Sequence, residues 1–433
     1  MIRLVSHEHA KEDSSHQPSY RSLLALPNYR LLLLSQIVSA IGDGVYAIAL
    51  IWLMKILTGS ALLMSILLAA ETVPLLLFGL FAGVIVDRGS KKKIMMLCDI
   101  ARGTIVALLV LLWVNGWLLP YMLIIAAVLL SSFSAFFGPS RVVAIRTLVP
   151  EDHMVQAQSL AQLVQTVVGL SAPAIGAWLL YYGTSFAFIF NAATFFASFL
   201  FIWLIRNERL TETRVTTLNR RSFVVEFKEG IVAVTSHALL RSLILYIVLI
   251  NFMLAPTTLL FPLIVDDSSE LALLQMAFFV GITAGVFLLG LVKKWRRIAA
   301  LATGIGLMLV GLGMLTWVHG LYAGLLCVFV AGLGSPLANV TLQTLFVLKV
   351  PKEVLGRASS LMKVLLESSR PLAMLLTGVL LAWIPVRLFF GIMGLFGVLL
   401  VVTMVLNRSI RKEQDEPKPG RIIGDNSAVK EVQ

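Results

Sequence analysis

The sequence predicts an all-α polytopic membrane protein of about twelve transmembrane helices, arranged as two six-helix bundles related as parallel repeats. Three observations carry that expectation. The 433-residue chain is 58% hydrophobic and only 13% charged, whereas ordinary soluble domains carry roughly 25% charged residues. Apolar runs of about twenty residues, the length that crosses a hydrocarbon core, recur from one end of the chain to the other. A short pattern also occurs twice: Val149-Pro150, Ala157 and Ser159-Leu160 return at constant offset as Val350-Pro351, Ala358 and Ser360-Leu361.

The apolar runs fall at residues 31–57, 62–86, 94–114, 119–138, 155–182 and 185–205, and then at 238–265, 271–292, 298–317, 321–348, 359–383 and 386–406. This divides the chain into an N-terminal tail (1–28), a first bundle (29–206), a linker (207–237), a second bundle (238–407) and a C-terminal tail (408–433). The copies of the repeated pattern each precede a fifth span of a half. An even number of spans lies between them, which places both on one side in the same sense and points to an axis along the membrane normal.

The net charge of +12 is dispersed over short links between apolar runs. That is the distribution that sets orientation in a membrane, and it speaks against nucleic-acid binding. Arg88 to Lys93, Arg141, Arg146, the basic residues of the linker, Lys293 to Arg297 and Lys349 to Lys363 fall on one side; Lys55, Arg387 and the acids Asp266, Asp267 and Glu270 fall on the other. Both termini are therefore expected in the cytoplasm, and the protein in the cytoplasmic membrane as a multi-pass monomer surrounded by lipid. No apolar segment with a cleavage site occurs in the first thirty residues, so the first span is expected to direct insertion.

No cofactor or metal is expected. Cys98 and Cys327 lie in apolar runs, and the six histidines form no metal-binding spacing. A phosphate-binding Gly-x-x-x-x-Gly-Lys-Ser/Thr loop is also lacking from the sequence, which leaves ATP-driven transport without its motif.

Charged groups inside spans are costly, and each raises a functional question. Asp43 lies midway along the first span between Gly42 and Gly44, and Glu71 precedes Pro74 by three residues in the second. A carboxyl withdrawn from water holds its proton more readily, so such groups suit proton coupling or cation recognition. The competing reading is that both are structural acids bonded to neighbouring backbone or hydroxyl groups. Asp99 and Arg102, and again Glu367 and Arg370, stand three apart, a spacing at which helical side chains meet. They form structural ion pairs or gating elements. Arg370 precedes Pro371, and its guanidinium has the alternative of facing an anionic substrate. Aromatic side chains such as Trp52, Phe78, Phe81, Phe136 and Phe252 either line a lipophilic cavity or face lipid.

The link after the second span reads Gly83-Val-Ile-Val-Asp87-Arg88-Gly-Ser90-Lys91-Lys92-Lys93. Asp87 sits where its own helix dipole disfavours an acid, so it requires a partner, either the positive N-terminus of a neighbouring helix or the basic side chains Arg88, Lys91, Lys92 and Lys93 that follow it. This link resembles the signature of the major facilitator superfamily, Gly-x-x-x-Asp-Arg-x-Gly-Arg-Arg/Lys, with Ser90 in place of the second glycine. Residues Ser35-Gln36, Ile41-Gly-Asp-Gly44, Leu57-Thr-Gly-Ser-Ala61, Gly138-Pro-Ser-Arg141 and Leu148-Val-Pro150 extend the likeness to bacterial drug and siderophore exporters of the macrolide-efflux and enterobactin-exporter type. The resemblance implies two bundles that rock about a central small-molecule site, and proton-coupled efflux. Importers and lipid or metabolite transporters share the fold, and a non-transporting receptor or polytopic enzyme is a further alternative. It also implies a conformational latch made of Gly83, Asp87, Arg88, Lys91 and Lys92, with Asp87 reaching the helix end near Ser359. The second-half echo at residues 290–297 has no acid, so the latch is expected to be asymmetric. The arginine that many drug/proton antiporters carry inside the fourth helix is expected to be missing, since residues 121–138 contain no basic side chain.

Overall fold

The computed structural model describes residues 19–210, 238–291, 295, 297–350 and 355–407. Within them the chain is helical, with no strand among the described residues. A helical turn at Tyr20–Ala25 is followed by α1 (Pro27–Thr58), α2 (Ala61–Arg88), α3 (Lys91–Val114), α4 (Pro120–Leu148), α5 (Met154–Tyr182) and α6 (Thr184–Leu204). The second half supplies α7 in two pieces (Ala238–Leu254 and Thr257–Ile264), α8 (Ser268–Leu291), α9 (Arg297–Gly313), α10 (Leu321–Lys349), α11 (Leu355–Leu380) and α12 (Val386–Leu406). Among the described residues eleven helices are long and apolar enough to cross a membrane. The helix α11, with Glu367 and Arg370 in its middle, takes the remaining place.

Local chemistry sets the helix ends. Ser60 and Ser90 accept hydrogen bonds from the backbone N–H groups of Leu63 and Lys93 and so cap α2 and α3. Proline opens α1 and α4, where its missing N–H costs nothing. Gly59 closes α1 in the left-handed region at φ 58°. Pro256 lies at the break in α7, a position where the ring and absent donor interrupt a helical ladder.

Packing repeats between the halves. In the first, α2 packs on α4, α1 on α6, and α3 on both α4 and α6; in the second, α8 packs on α10, and α9 on both α10 and α12. Across the halves α2 meets α11 and α5 meets α8. Exchanging the halves, α2 for α8 and α11 for α5, turns the first contact into the second, as parallel repeats about one axis require. The repeated valines agree: Val149 caps the end of α4 and Val350 the end of α10, each 4% exposed.

Apolar helices have no hydrophobic reason to associate in lipid, so close packing must hold them. The crossing of α8 and α10 is the clearest case. A Cβ on Gly281 would run into the Phe329 carbonyl, and one on Gly332 into that of Phe278, so the two backbones touch only because both residues are glycine.

Candidate functional site

Asp43 is seated by its neighbours. A Cβ at Gly42 would overlap the Thr194 hydroxyl of α6, and one at Gly44 would press on Ala172 of α5 at 2.5 Å. The two glycines therefore let α1 lie against both helices, and Asp43 emerges between them into a cavity of about 780 Å³. The cavity lies at the interface of the halves: α1, α3, α4 and α5 form most of its wall, and Gln275, Phe279, Ile282 and Thr283 of α8 complete it.

The wall is amphipathic. Gln36, Ser39, Gln162, Gln165, Thr166, Ser134 and Gln275 present amides and hydroxyls, while Phe137 and Phe279 supply the aromatic faces. Of the aromatic residues named from sequence, Trp52 is instead buried in the core, and Phe78 packs on Phe136 with ring centroids 6.2 Å apart. Neither lines the cavity.

Two cations reach this cavity, Arg102 and Arg141. The guanidinium of Arg102 binds Asp99, whose side chain is 0% exposed, and lies between the rings of Phe137 and Phe195, 4.4 Å from each centroid. Ser198 donates to the other Asp99 oxygen at 2.7 Å. The Asp99–Arg102 spacing thus forms the ion pair it predicted, with a hydroxyl and two aromatic faces that belong to other helices.

Arg141 requires a correction. The fourth helix does not stop at Gly138; it runs through Pro139 to Leu148, and Arg141 stands inside it and lines the cavity. The expectation of a fourth helix without arginine fails because Gly138-Pro139 reads as a breaker, yet an intact bundle holds the helix across it. The Arg141 Nε, like that of Arg102, is buried and meets no acceptor among the described residues. Asp43 is the carboxylate that acts on it electrostatically, and Arg102 the neighbouring cation. Asp43 in turn has Ser39 as a hydroxyl neighbour and both arginines within electrostatic range.

Glu71, Glu367 and Arg370 lie outside the lining of this cavity. Glu71 is within electrostatic reach of Asp43 and Arg370, because α2 and α11 pack together. Ser131 of α4 donates to the Glu71 carbonyl at 2.6 Å, close to the turn that Pro74 interrupts. Arg370 and Glu367 approach to 3.8 Å as a half-exposed pair.

In the link after α2, Gly83 is half-buried with open space where a Cβ would stand, and Arg88 is the exposed last residue of the helix. Lys91 is buried. The Lys92 ammonium donates to the carbonyls of Trp203 and Ile205, 2.7 Å to each, and so serves the C-terminal end of α6. The Asp87 side chain and those around Ser359 lie outside the described residues.

Gln275 is legible in the sequence as a polar group of a second-half span that either lines a cavity or bonds helix to helix, and it lines this one; the glutamines of α1 and α5 were missed. Their signal was present: Gln36, Ser39, Asp43 and Ala47 follow one face of α1, and Gln162, Gln165, Thr166 and Gly169 one face of α5, each at helical spacing.

Residues 32–370 and 267–430 match the Major Facilitator Superfamily, and the chain belongs to that family of membrane transporters. It is 26% identical over 387 residues to macrolide efflux protein A of Streptococcus pyogenes, covering 87% of this chain and 95% of the relative. It is also 26% identical over 409 residues to the multidrug efflux pump Tap of Mycolicibacterium fortuitum, covering 90% and 98%. Among solved structures, a bacterial homologue of the iron transporter ferroportin, in an inward-facing state, superposes with TM-score 0.71 at 14% identity over 91% of this chain and 100% of that one.

Proposed function

We propose that the protein is a proton-coupled exporter of lipophilic drug-like or siderophore-like small molecules, working by alternating access in a bacterial cytoplasmic membrane with both termini in the cytoplasm. The observation that carries the reading is Asp43, a carboxyl deep in the bundle that opens into a cavity walled by both halves. A group so placed meets the two aqueous phases in turn as the halves rock, and exchanges a proton with each. The efflux relatives support the direction of transport.

In this scheme residues 29–206 and 238–407 are the rocking units. Asp43 is the coupling carboxyl, Glu71 assists it beside Arg370 and Glu367, and Gly83, Asp87, Arg88, Lys91 and Lys92 form the latch that holds one of the two end states. Asp99–Arg102 keeps one cation of the wall neutral and fixed. Protons and a small molecule are the partners.

Flux in proteoliposomes tests the proposal. Macrolides, siderophores and lipophilic cations are offered under an imposed pH gradient, with uncoupler as control. Substrate-dependent, uncoupler-sensitive flux is expected, and Asp43→Asn is expected to lower it by at least tenfold while insertion and thermal unfolding stay unchanged. Normal coupling in Asp43→Asn removes that residue's role, and the absence of flux for every compound counts against the exporter reading.

A further inference from the structure

The charges around the cavity do not balance one by one. Asp99 neutralises Arg102 in a buried pair, and Glu71 has Arg370 for a counter-charge outside the lining. Besides Arg102, which also acts on Asp43, the charges facing the cavity are Asp43 and Arg141, neither of which has an ion-pair partner of its own among the described residues. They act on each other electrostatically, yet no ion pair joins them within 4.0 Å among the described residues, and the Arg141 Nε is buried without an acceptor.

Their separation restricts what can bind. A simple cation seated on Asp43 cancels the negative charge and leaves the guanidinium without a counter-charge in a cavity that the ligand has emptied of water, where an uncompensated charge is costly. A simple anion seated on Arg141 strands Asp43 in the same way. A neutral apolar ligand displaces water from both. Only a ligand that carries an amine and an acidic group together leaves no charge unpaired. The rest of the wall suits such a molecule, since Phe137 and Phe279 take an apolar body while the amides of Gln162, Gln165 and Gln275 accept and donate.

We propose that Asp43 and Arg141 form a two-charge subsite for an amphoteric substrate, with Asp43 receiving its ammonium group and Arg141 its carboxylate or other acidic group. The inference rests on the transport reading and narrows its substrate class. It also assigns Arg141 a specificity role separate from proton coupling.

The test is equilibrium binding to the full-length, detergent-purified protein. The probe is the tripeptide Phe-Leu-Phe in four forms: both ends free, N-acetylated, C-amidated, and blocked at both ends. The free peptide is expected to bind at least tenfold more tightly than either singly blocked form. In Arg141→Gln the preference for free acid over amide should vanish while the preference for free amine over acetyl persists; Asp43→Asn should show the converse. Arg141→Lys keeps the charge and should retain part of the acid preference, which guards against a variant that merely misfolds.

Equal binding of all four forms, binding of none, or a loss of both preferences together in each variant overturns the subsite. If the peptides show no charge preference while liposomes still move a lipophilic cation, the subsite fails and the exporter reading stands. Clear peptide discrimination with no flux of any compound has the opposite meaning.

Discussion

Arg102 binds Asp99 one helical turn away on α3, and both side chains are almost wholly buried, at 4% and 0% exposure. Breaking a buried pair leaves a charge with neither water nor partner, at a cost of about 3–5 kcal/mol. Asp99→Asn is therefore expected to lower the thermal unfolding temperature sharply. Ser198→Ala, which removes one hydroxyl donor from the same carboxylate, should cost only about 1–3 kcal/mol. The double variant Asp99→Leu with Arg102→Leu should regain most of the loss. Calorimetry of the native protein, Asp99→Leu, Arg102→Leu and the double variant gives the coupling, and a double variant less stable than either of these single ones contradicts the assignment.

Two glycines, one at the α8–α10 crossing and one away from it, carry predictions of opposite sign. Gly332→Ala drives a methyl into the backbone of α8, and overpacking of this kind costs about 1–3 kcal/mol. Gly306, inside α9, has open space around its Cβ position, so Gly306→Ala should stabilise by roughly 0.5–1 kcal/mol through helix propensity alone. Unfolding in detergent separates the two; equal destabilisation argues that the crossing is loose.

Span number, helix order and the repeat were legible because they depend on hydropathy and on local turn chemistry, which act over a few residues. The ion pair of Asp99 and Arg102 was legible for the same reason, being set by helical spacing. Arg141 was misplaced because Gly138-Pro139 gives a local signal for an end, while the decision to continue α4 belongs to the helices packed around it. The Phe137–Arg102–Phe195 sandwich and the Lys92 contact with the end of α6 join residues far apart in sequence. No local period announces them. The glutamine face of α5 did have a period, but without knowing which neighbour it faced its meaning was open.

Asp267, just ahead of α8, accepts hydrogen bonds from the backbone of Ser269 at 2.7 Å and of Glu270 at 2.9 Å. The Ser269 hydroxyl and these amides hold its carboxyl below the ordinary aspartate range. A depressed folded value means that the stabilisation is fully present above the unfolded value of about 3.9 and is lost as pH falls through the folded one. Asp267→Ala should thus cost about 1 kcal/mol at neutral pH, and the gap in unfolding temperature from the native protein should narrow below about pH 4. A gap that is constant down to pH 2.5 would mean that the charge of Asp267 does not support the cap.

At the end of the bundle remote from Lys91 to Lys93, Lys55 joins the two halves. Its ammonium donates to the Val265 carbonyl at 2.6 Å, joining α1 to the link after α7, and lies 4.4 Å from the centre of the Trp52 ring. Asp266 and Glu270 add nearby negative charge. At the same end Ser65 of α2 is fully buried against Gly378 of α11. A charge-assisted hydrogen bond contributes about 1.5–3 kcal/mol, so Lys55→Met should shift the balance toward a state open at this end by about tenfold or more. The reporter is Ser65→Cys in a protein whose Cys98 and Cys327 are replaced by alanine. Maleimide labelling of that cysteine should accelerate by about an order of magnitude when Lys55→Met is added, in line with that energy. Acceleration should be absent in Lys55→Arg, which keeps both the charge and the donor. An unchanged labelling rate in Lys55→Met would mean that the α2–α11 contact, rather than Lys55, holds this end shut.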